Sequence, residues 1–401
     1  MKVLITTDWY KPTINGVVTS VSMLKEELEK RGHEVRILTL EQKEPTPPER
    51  NVYILDSISA GKIYPEARVN LHATRWIIND ILRWKPDIIH SQCEFSTFIT
   101  ARKIARYRDI PIVHTYHTVY EDYTHYFSPS QAFGQKAVRT FTRFILDKVD
   151  AVIVPTEKVK KMLLSYEVET PISTIPTGID ITNFKKPIPE EKLSEIKARY
   201  GIKEDDFLLL SLGRLAKEKN ITELFDFLAH KRDPHLKLMS VGDGPYAEEL
   251  KEQAKEKNLL ENVIFTGPVE PQETSTYYHL GDLFVSASTS ETQGLTYIEA
   301  LASGTPALCR KDPCLEEVIQ NHHNGYQYEG EEDFDYFLEK VRKNPSYKPY
   351  LKKNAEESVE KVSKEHFADK VLKVYEDTIQ KNGPRKNRII EKIKSFAITY
   401  K

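Results

Sequence analysis

The sequence predicts an α/β protein built from two doubly wound parallel domains. Three observations point there. A chain of 401 residues is too long for one ordinary core. Short apolar runs alternate with stretches of helical periodicity, the pattern of βαβ units whose strands pair in parallel. That alternation then restarts after a charged, proline-containing stretch at residues 183–203, read as a linker near residue 185 between the halves. The expected domains are residues 1–184 and 185–364, with helices at about 365–401 packing back onto the first.

The elements follow in order. Residues 2–6 read as a strand and 11–16 as a loop holding Pro12 and Gly16. Val17, Val18, Val21, Leu24 and Leu28 recur at helical spacing until Gly32 stops the helix. Residues 34–40 form the next strand. Further strands are expected at 87–90, 110–114, 151–155 and 172–176. In the second half they fall at 207–212, 236–241, 263–266, 283–287 and 306–309. Phe367, Val371 and Val374 mark a late helix. Two such sheets imply a ligand cleft at the C-terminal ends of their strands.

Composition narrows the function classes. Apolar residues make up 39% of the chain, and no run approaches the ~20 needed to span a bilayer. The first residues enter a strand directly, without a signal-peptide layout. Cys93, Cys309 and Cys314 are an odd, scattered set, which suggests reduced thiols in a cytosol and no zinc site. The formal net charge is −2, but it is unevenly spread. Residues 381–401 hold seven basic side chains and one acidic, while the second half carries the acidic excess. A basic first half and tail suggest that one side faces something anionic. Nucleic acid is not an expected partner.

Four stretches carry candidate chemistry. In S-E-T-Q-G-L-T-Y-I-E, Glu291 and Glu299 flank Gly294, Leu295 and Thr296 at a helix start. Unpaired N–H groups and the positive end of a helix dipole suit phosphate there. The two carboxylates could hold the hydroxyls of a sugar nucleotide. As an acid/base pair on one glycosidic bond they would need to lie ~5–9.5 Å apart. As ordinary helix-start charges they would do neither. Arg214 and Lys219 follow the strand at 207–212 directly, where they could clamp a diphosphate and neutralise its charge as it leaves. Gly16 and Val17 open the first helix, where backbone can approach a phosphate or sugar. The spacing is not G-x-G-x-x-G, so a nicotinamide site is not supported. Finally, H-T-Y-H-T-V-Y-E-D-Y, which includes His117 and Asp122, is dense in polar and aromatic groups suited to a sugar or acceptor. The D-x-D at 333–335 follows no apolar strand and reads as surface charge.

In order and spacing, these pieces resemble the retaining GT-B glycosyltransferases of family 4. The matching pieces are N-G-V-V at 15–18, the His117 region, I-P-T-G-I-D at 175–180, G-R-L…E-K-N at 213–220, V-G-D-G-P at 241–245 and E-x7-E at 291–299. The resemblance implies two Rossmann-like doubly wound domains facing a central cleft. It implies that Arg214 and Lys219 hold a donor diphosphate, Glu291 the donor sugar and Glu299 the ribose. Gly16 would lie near the phosphates and His117 near the sugar. Many members carry Gly-Phe after the first Glu, where this chain has Thr292-Gln293. One branch fits better: Y-H-T-V-Y-E-D-Y-T-H-Y at 116–126 and E-T-Q-G-L-T look like the bacterial 1,2-diacylglycerol 3-glucosyltransferases, of monoglucosyldiacylglycerol synthase type. That branch implies a UDP-sugar donor, UDP-glucose before UDP-galactose, a diacylglycerol acceptor, and no cofactor or metal.

A peripheral place on the cytoplasmic face of a membrane is the matching expectation. Val138, Phe141 and Ile145 form an apolar stripe flanked by Lys136, Arg139 and Arg143, with Asp122 and Tyr126 as acceptor candidates. Apolar and basic residues also share a face in the tail, beyond residue 383. Basic amphipathic helices bind anionic bilayers, although a helix docked on its own domain gives the same pattern. A soluble or polyprenyl-linked acceptor, or a sugar-nucleotide-binding module without transfer, are the rival readings.

Overall fold

The structure, a computed structural model, describes residues 1–45, 49–61, 67–70, 74–121 and 130–382. The acceptor candidates Asp122 and Tyr126 and the basic tail from residue 383 lie outside the described residues. The chain divides into two compact units. One is Met1–Gly178 joined by a helix that starts at Lys364, and the other is Ile179–Ser363.

The first unit runs β1 (Lys2–Thr7), α1 (Gly16–Lys30), β2 (Glu34–Leu40), β3 (Val52–Leu55), a short antiparallel pair β4 (Ile58–Ser59) and β5 (Arg68–Val69), α2 (Arg75–Trp84) and β6 (Ile88–Ser91). It continues through α3 (Ser96–Arg108), β7 (Ile112–Thr115), α4 (Gln131–Leu146), β8 (Ala151–Val154), α5 (Glu157–Ser165) and β9 (Ile172–Thr174). Seven strands pair in the order β3-β2-β1-β6-β7-β8-β9, every pair parallel. Strand residues alternate between two cores. Val3 and Ile5 join Val21, Leu24 and Leu28 of α1. Leu4 joins Ile78 and Ile81 of α2 and Phe98 and Ile104 of α3. Both faces of the central strands are covered, so β1, β6, β7 and β8 are almost wholly buried and mostly apolar.

The second unit opens with α6 (Ile181–Phe184) and α7 (Glu190–Arg199), then β10 (Phe207–Leu212), α8 (Ile221–Lys231), β11 (Leu236–Val241), α9 (Ala247–Glu256), β12 (Val263–Gly267) and α10 (Thr274–Leu280). It closes with β13 (Leu283–Ser286), α11 (Leu295–Ala302), β14 (Ala307–Arg310), β15 (Gly325–Tyr328), α12 (Glu331–Lys343) and α13 (Tyr347–Ser358). Its parallel sheet is ordered β12-β11-β10-β13-β14-β15. In each sheet the strand order reverses once, between β1 and β6 and between β10 and β13. Loops that leave the sheet on either side of such a reversal diverge and open a crevice.

The helix α14 (Lys364–Asn382) belongs to the first unit, where Phe367, Ala368, Val371 and Tyr375 enter the core beside α1. Tyr375 is fully buried, and its hydroxyl lies 2.6 Å from Nδ1 of His90, whose Nε2 lies 2.7 Å from the Thr115 hydroxyl. Burial pushes the His90 pKa well down, so the ring stays neutral and fastens the returning helix to the sheet without a buried charge.

The stretch expected to be a linker contains a helix of the second unit. In α7, Glu190 and Glu191 sit in the first turn and Lys197 and Arg199 in the last, and Ile196 is buried in that unit's core with Leu193 against it. Charges matched to the helix dipole and one apolar edge were masked by the overall polarity. Two edge strands, β3 and β15, were not expected. Each is only four residues long, and both are partly exposed. The D-x-D is part of α12: Asp333 accepts the Glu329 N–H at 3.1 Å and Asp335 pairs with Lys231 at 3.2 Å. All three cysteines are free and buried. Among the described residues, no helix is long and apolar enough to cross a membrane.

Candidate active site

In the second unit, the loops after β10 and β13 meet beside the strand-order reversal. Gly213 follows β10, and a Cβ there would lie 4.0 Å from Thr296 Cγ2 at the start of α11. Lys219 Nζ reaches across to Glu291 Oε1 at 2.7 Å. Arg214 pairs with Glu218 at 2.5 Å, and the guanidinium stays more accessible than the buried carboxylate it meets. The cationic loop and the start of α11, separate in sequence, are thus neighbours in space.

The V-G-D-G-P stretch explains why this loop holds its shape. Gly213 N–H donates to Val241 O and Leu215 N–H to Asp243 O, each at 2.9 Å, and Tyr246 N–H returns to Leu215 O at 3.0 Å. Backbone lies directly on backbone. A Cβ on Gly242 would overlap the Gly213 carbonyl oxygen, and one on Gly244 would lie 2.7 Å from Leu215 N. The two glycines are what allow the second loop to back the one carrying Arg214.

Gly294 caps α11 with φ 75°, a left-handed conformation natural to glycine. The first N–H groups of the helix, at Leu295 and Thr296, are of the kind that suit phosphate oxygens. Ser288, fully buried in the loop between β13 and α11, has a hydroxyl with no partner among the described residues. Glu299 lies one turn in. Its Oε2 accepts the hydroxyl of buried Tyr278 at 2.8 Å, and the apolar surround pushes the carboxyl up to about 7. The two glutamates therefore differ: Glu291 is tied to a cation, and Glu299 is held by a neutral donor in a desolvated place.

That difference has a consequence for stability. Unfolded, Glu299 ionises near 4.5; folded, it keeps its proton to about 7. Its contribution is complete below the unfolded value and is lost as pH rises through the folded one. Glu299→Gln, which still accepts from Tyr278, should therefore raise the melting temperature of the ligand-free protein by roughly 5 °C at pH 8 and change it little at pH 4.5. A uniform shift across that range would contradict the assignment.

In the first unit, the loops after β1, β6 and β7 gather at the other reversal. Asn15 caps α1, its side chain accepting the Val18 N–H at 2.9 Å, with Gly16 and Val17 in the first turn. Asp8 takes the N–H and hydroxyl of Thr97 at 2.8 and 2.6 Å at the start of α3, and burial raises it to about 6. His117 Nε2 lies 2.7 Å from Gln92 Oε1, and burial pushes the imidazole down to about 3. His117 is thus neutral and serves as a hydrogen-bonding group, not as a cation. Asp8, Gln92, Tyr278 and Ser288 were not singled out from the sequence. Asp8, Gln92 and Tyr278 act through partners distant along the chain, Ser288 is marked only by its burial, and no local signal picks out any of them.

The apolar stripe on α4 is divided. Val138 and Ile145 are buried, so for these two the docked-helix alternative holds. Arg139 pairs with Glu121 at 2.9 Å, and Arg143 pairs with Glu167. The aromatic rings left outside are Phe133, Phe141 and Phe144, which with Lys136 line a shallow apolar groove.

Comparison with known proteins now decides the family. The family described as Glycosyltransferase Family 4 matches residues 14–183, and Glycosyl transferases group 1 matches residues 193–358. The chain is 38% identical to an alpha-monoglucosyldiacylglycerol synthase of Streptococcus pneumoniae, over 96% of this chain and 88% of that protein. The chain belongs to glycosyltransferase family 4. This glycosyltransferase is also 32% identical to the Acholeplasma laidlawii alpha-monoglucosyldiacylglycerol synthase, over 97% of its own length and all of that protein. Its two parallel doubly wound units are the halves of the GT-B fold. It superposes on sucrose-phosphate synthase from Thermosynechococcus elongatus with a TM-score of 0.74 at 20% identity, covering 94% of this chain and 99% of that one. Anabaena Alr3699/HepE, solved in complex with UDP-glucose, gives 0.73 at 15% identity, with 94% of this chain and all of that one covered.

Proposed function

We propose that this glycosyltransferase moves glucose from UDP-glucose to diacylglycerol at a membrane surface, with retained anomeric configuration. The observation that carries this reading is the near full-length similarity to two alpha-monoglucosyldiacylglycerol synthases. UDP-glucose is α-linked, so an α-linked product means retention. The UDP-glucose complex of a protein with the same fold supports the donor.

The residues take roles that suit this chemistry. Arg214 and Lys219 hold the diphosphate and stabilise its charge as the sugar bond breaks. The start of α11, at Gly294, Leu295 and Thr296, gives its N–H groups to the same oxygens. Glu291 accepts from hexose hydroxyls, Glu299 from the ribose, and neutral His117 meets the hexose. Gly16 and Val17 bring backbone close to the donor. The resemblance to retaining members of the family implies a front-side substitution in which the leaving phosphate takes the acceptor proton, without a carboxylate nucleophile. Positioning supplies much of the rate. The first unit is the acceptor side and the second the donor side. Phe133, Phe141, Phe144 and Lys136 face an anionic membrane on its cytoplasmic side, each basic residue near it adding only ~1 kcal/mol. Asp122 and Tyr126 are assigned to the acceptor side.

The test is product analysis. The protein is incubated with UDP-glucose or UDP-galactose and diacylglycerol, in neutral vesicles or in vesicles containing phosphatidylglycerol. The expected product is α-glucosyldiacylglycerol, formed from UDP-glucose and faster on the anionic vesicles. A β-linked product, or transfer only to soluble acceptors, overturns the reading.

A further inference from the structure

The loop after β6 holds the loop after β7 at two points. Glu94 accepts from the Tyr120 hydroxyl and sits 3.2 Å from Nε2 of His114. Two residues earlier, Gln92 places its side-chain oxygen 2.7 Å from Nε2 of His117. Gln92 is buried, and its backbone N–H donates to Thr6 O at 2.8 Å, which anchors the stretch from which the amide extends. With the amide oxygen turned to the ring, as it is here, the contact takes the ring proton on Nε2, because a carbonyl oxygen only accepts. A neutral imidazole carries one ring proton, which leaves a lone pair on Nδ1. Burial and the neighbouring His114 keep the ring neutral. Nδ1 takes no hydrogen bond from a described residue, and it is not among the buried orphaned atoms.

We propose that Gln92 is a positioning residue: it locks His117 in the Nε2–H tautomer and so presents Nδ1 as an acceptor to a hydroxyl of the transferred hexose. This rests on the reading above that His117 meets that sugar. The carboxamide supplies geometry and tautomer without adding charge. A carboxylate at the same place would keep the acceptor, whereas an apolar side chain would release the ring to exchange tautomers and rotate.

The test is nitrogen NMR of the full-length protein labelled in histidine, with the His117 signal identified by its loss in His117→Asn. The wild-type ring should show a pyrrole-type Nε2 and a pyridine-type Nδ1. Gln92→Leu should show mixed tautomers and a turnover number lower by about tenfold to a hundredfold, with UDP affinity within about twofold. Gln92→Glu keeps the acceptor but raises the proton affinity of the ring, so its turnover should approach wild type at high pH and fall as the pH drops. A wild-type ring protonated on Nδ1, or a tautomer population unchanged in Gln92→Leu, overturns the proposal. If Gln92→Leu does not fold, the wild-type spectrum alone decides. Absence of hexose transfer by the wild type would defeat the functional reading instead, and the tautomer result would be unaffected by it.

Discussion

Arg214→Ala should lower turnover by roughly a hundredfold to a thousandfold, the usual cost of removing one donor aimed at developing charge. Circular dichroism should remain unchanged. Arg214 follows β10 on the loop fixed by the backbone bonds of Gly213 and Leu215, and its side chain is among the more exposed at the site. It adds little to the core. One complication is local: Glu218 is buried, and its Oε2 already has no partner among the described residues. Truncating Arg214 therefore costs some stability through a stranded carboxylate. The double variant Arg214→Ala, Glu218→Gln removes that effect and should remain just as inactive. Lys219→Ala should lose a similar factor, and combining it with Arg214→Ala should cost less than the product of the two, because both cations serve one charge. Near-normal turnover in Arg214→Ala would remove the diphosphate assignment.

Gly242→Ala and Gly244→Ala should be among the most damaging changes to the fold itself. At both positions the added carbon meets backbone atoms of Gly213 or Leu215, which cannot rotate away as a side chain would. Gly242 also has φ 130°, where an L side chain is strained. We expect each to cost about 3 kcal/mol or more, a fall in melting temperature of roughly 10 °C for a unit of this size. Surviving protein should also bind UDP poorly, since moving Gly213 or Leu215 moves Arg214 between them. Gly330→Ala is the control: a Cβ there meets nothing within 4 Å. Melting curves and UDP titration check both parts. A Gly244→Ala protein as stable as wild type would mean that the two loops do not pack as described.

The glycines show how much of the site could be read from the chain and where that stopped. V-G-D-G-P was legible as one piece of a resemblance, but nothing local says that its purpose is to let one loop lie on another. Arg214 and Lys219 were legible because a short basic turn after an apolar strand must sit at a strand end. Tyr278 and Gln92 were not, since neither belongs to a motif and the partner of each lies 21 or more residues away. The stretch at 183–203 failed in the opposite direction. Its polarity suggested a linker, while Leu193 and Ile196, three residues apart, were enough to seat a helix.

By itself, the sequence determined the alternation of strands and helices, the restart of the pattern after residue 203, and the residue types waiting at the strand ends. Periodicity and turn chemistry are local, so those features survive without knowledge of any distant contact. The tertiary structure alone decided which distant groups pair: Lys219 with Glu291, Glu299 with Tyr278, His117 with Gln92, and α14 with the first unit's core. It also decided that Val138 and Ile145 turn inward on α4. Pairing, burial and the resulting shifts in proton affinity depend on what the fold packs around a group, and the neighbours along the chain do not specify that.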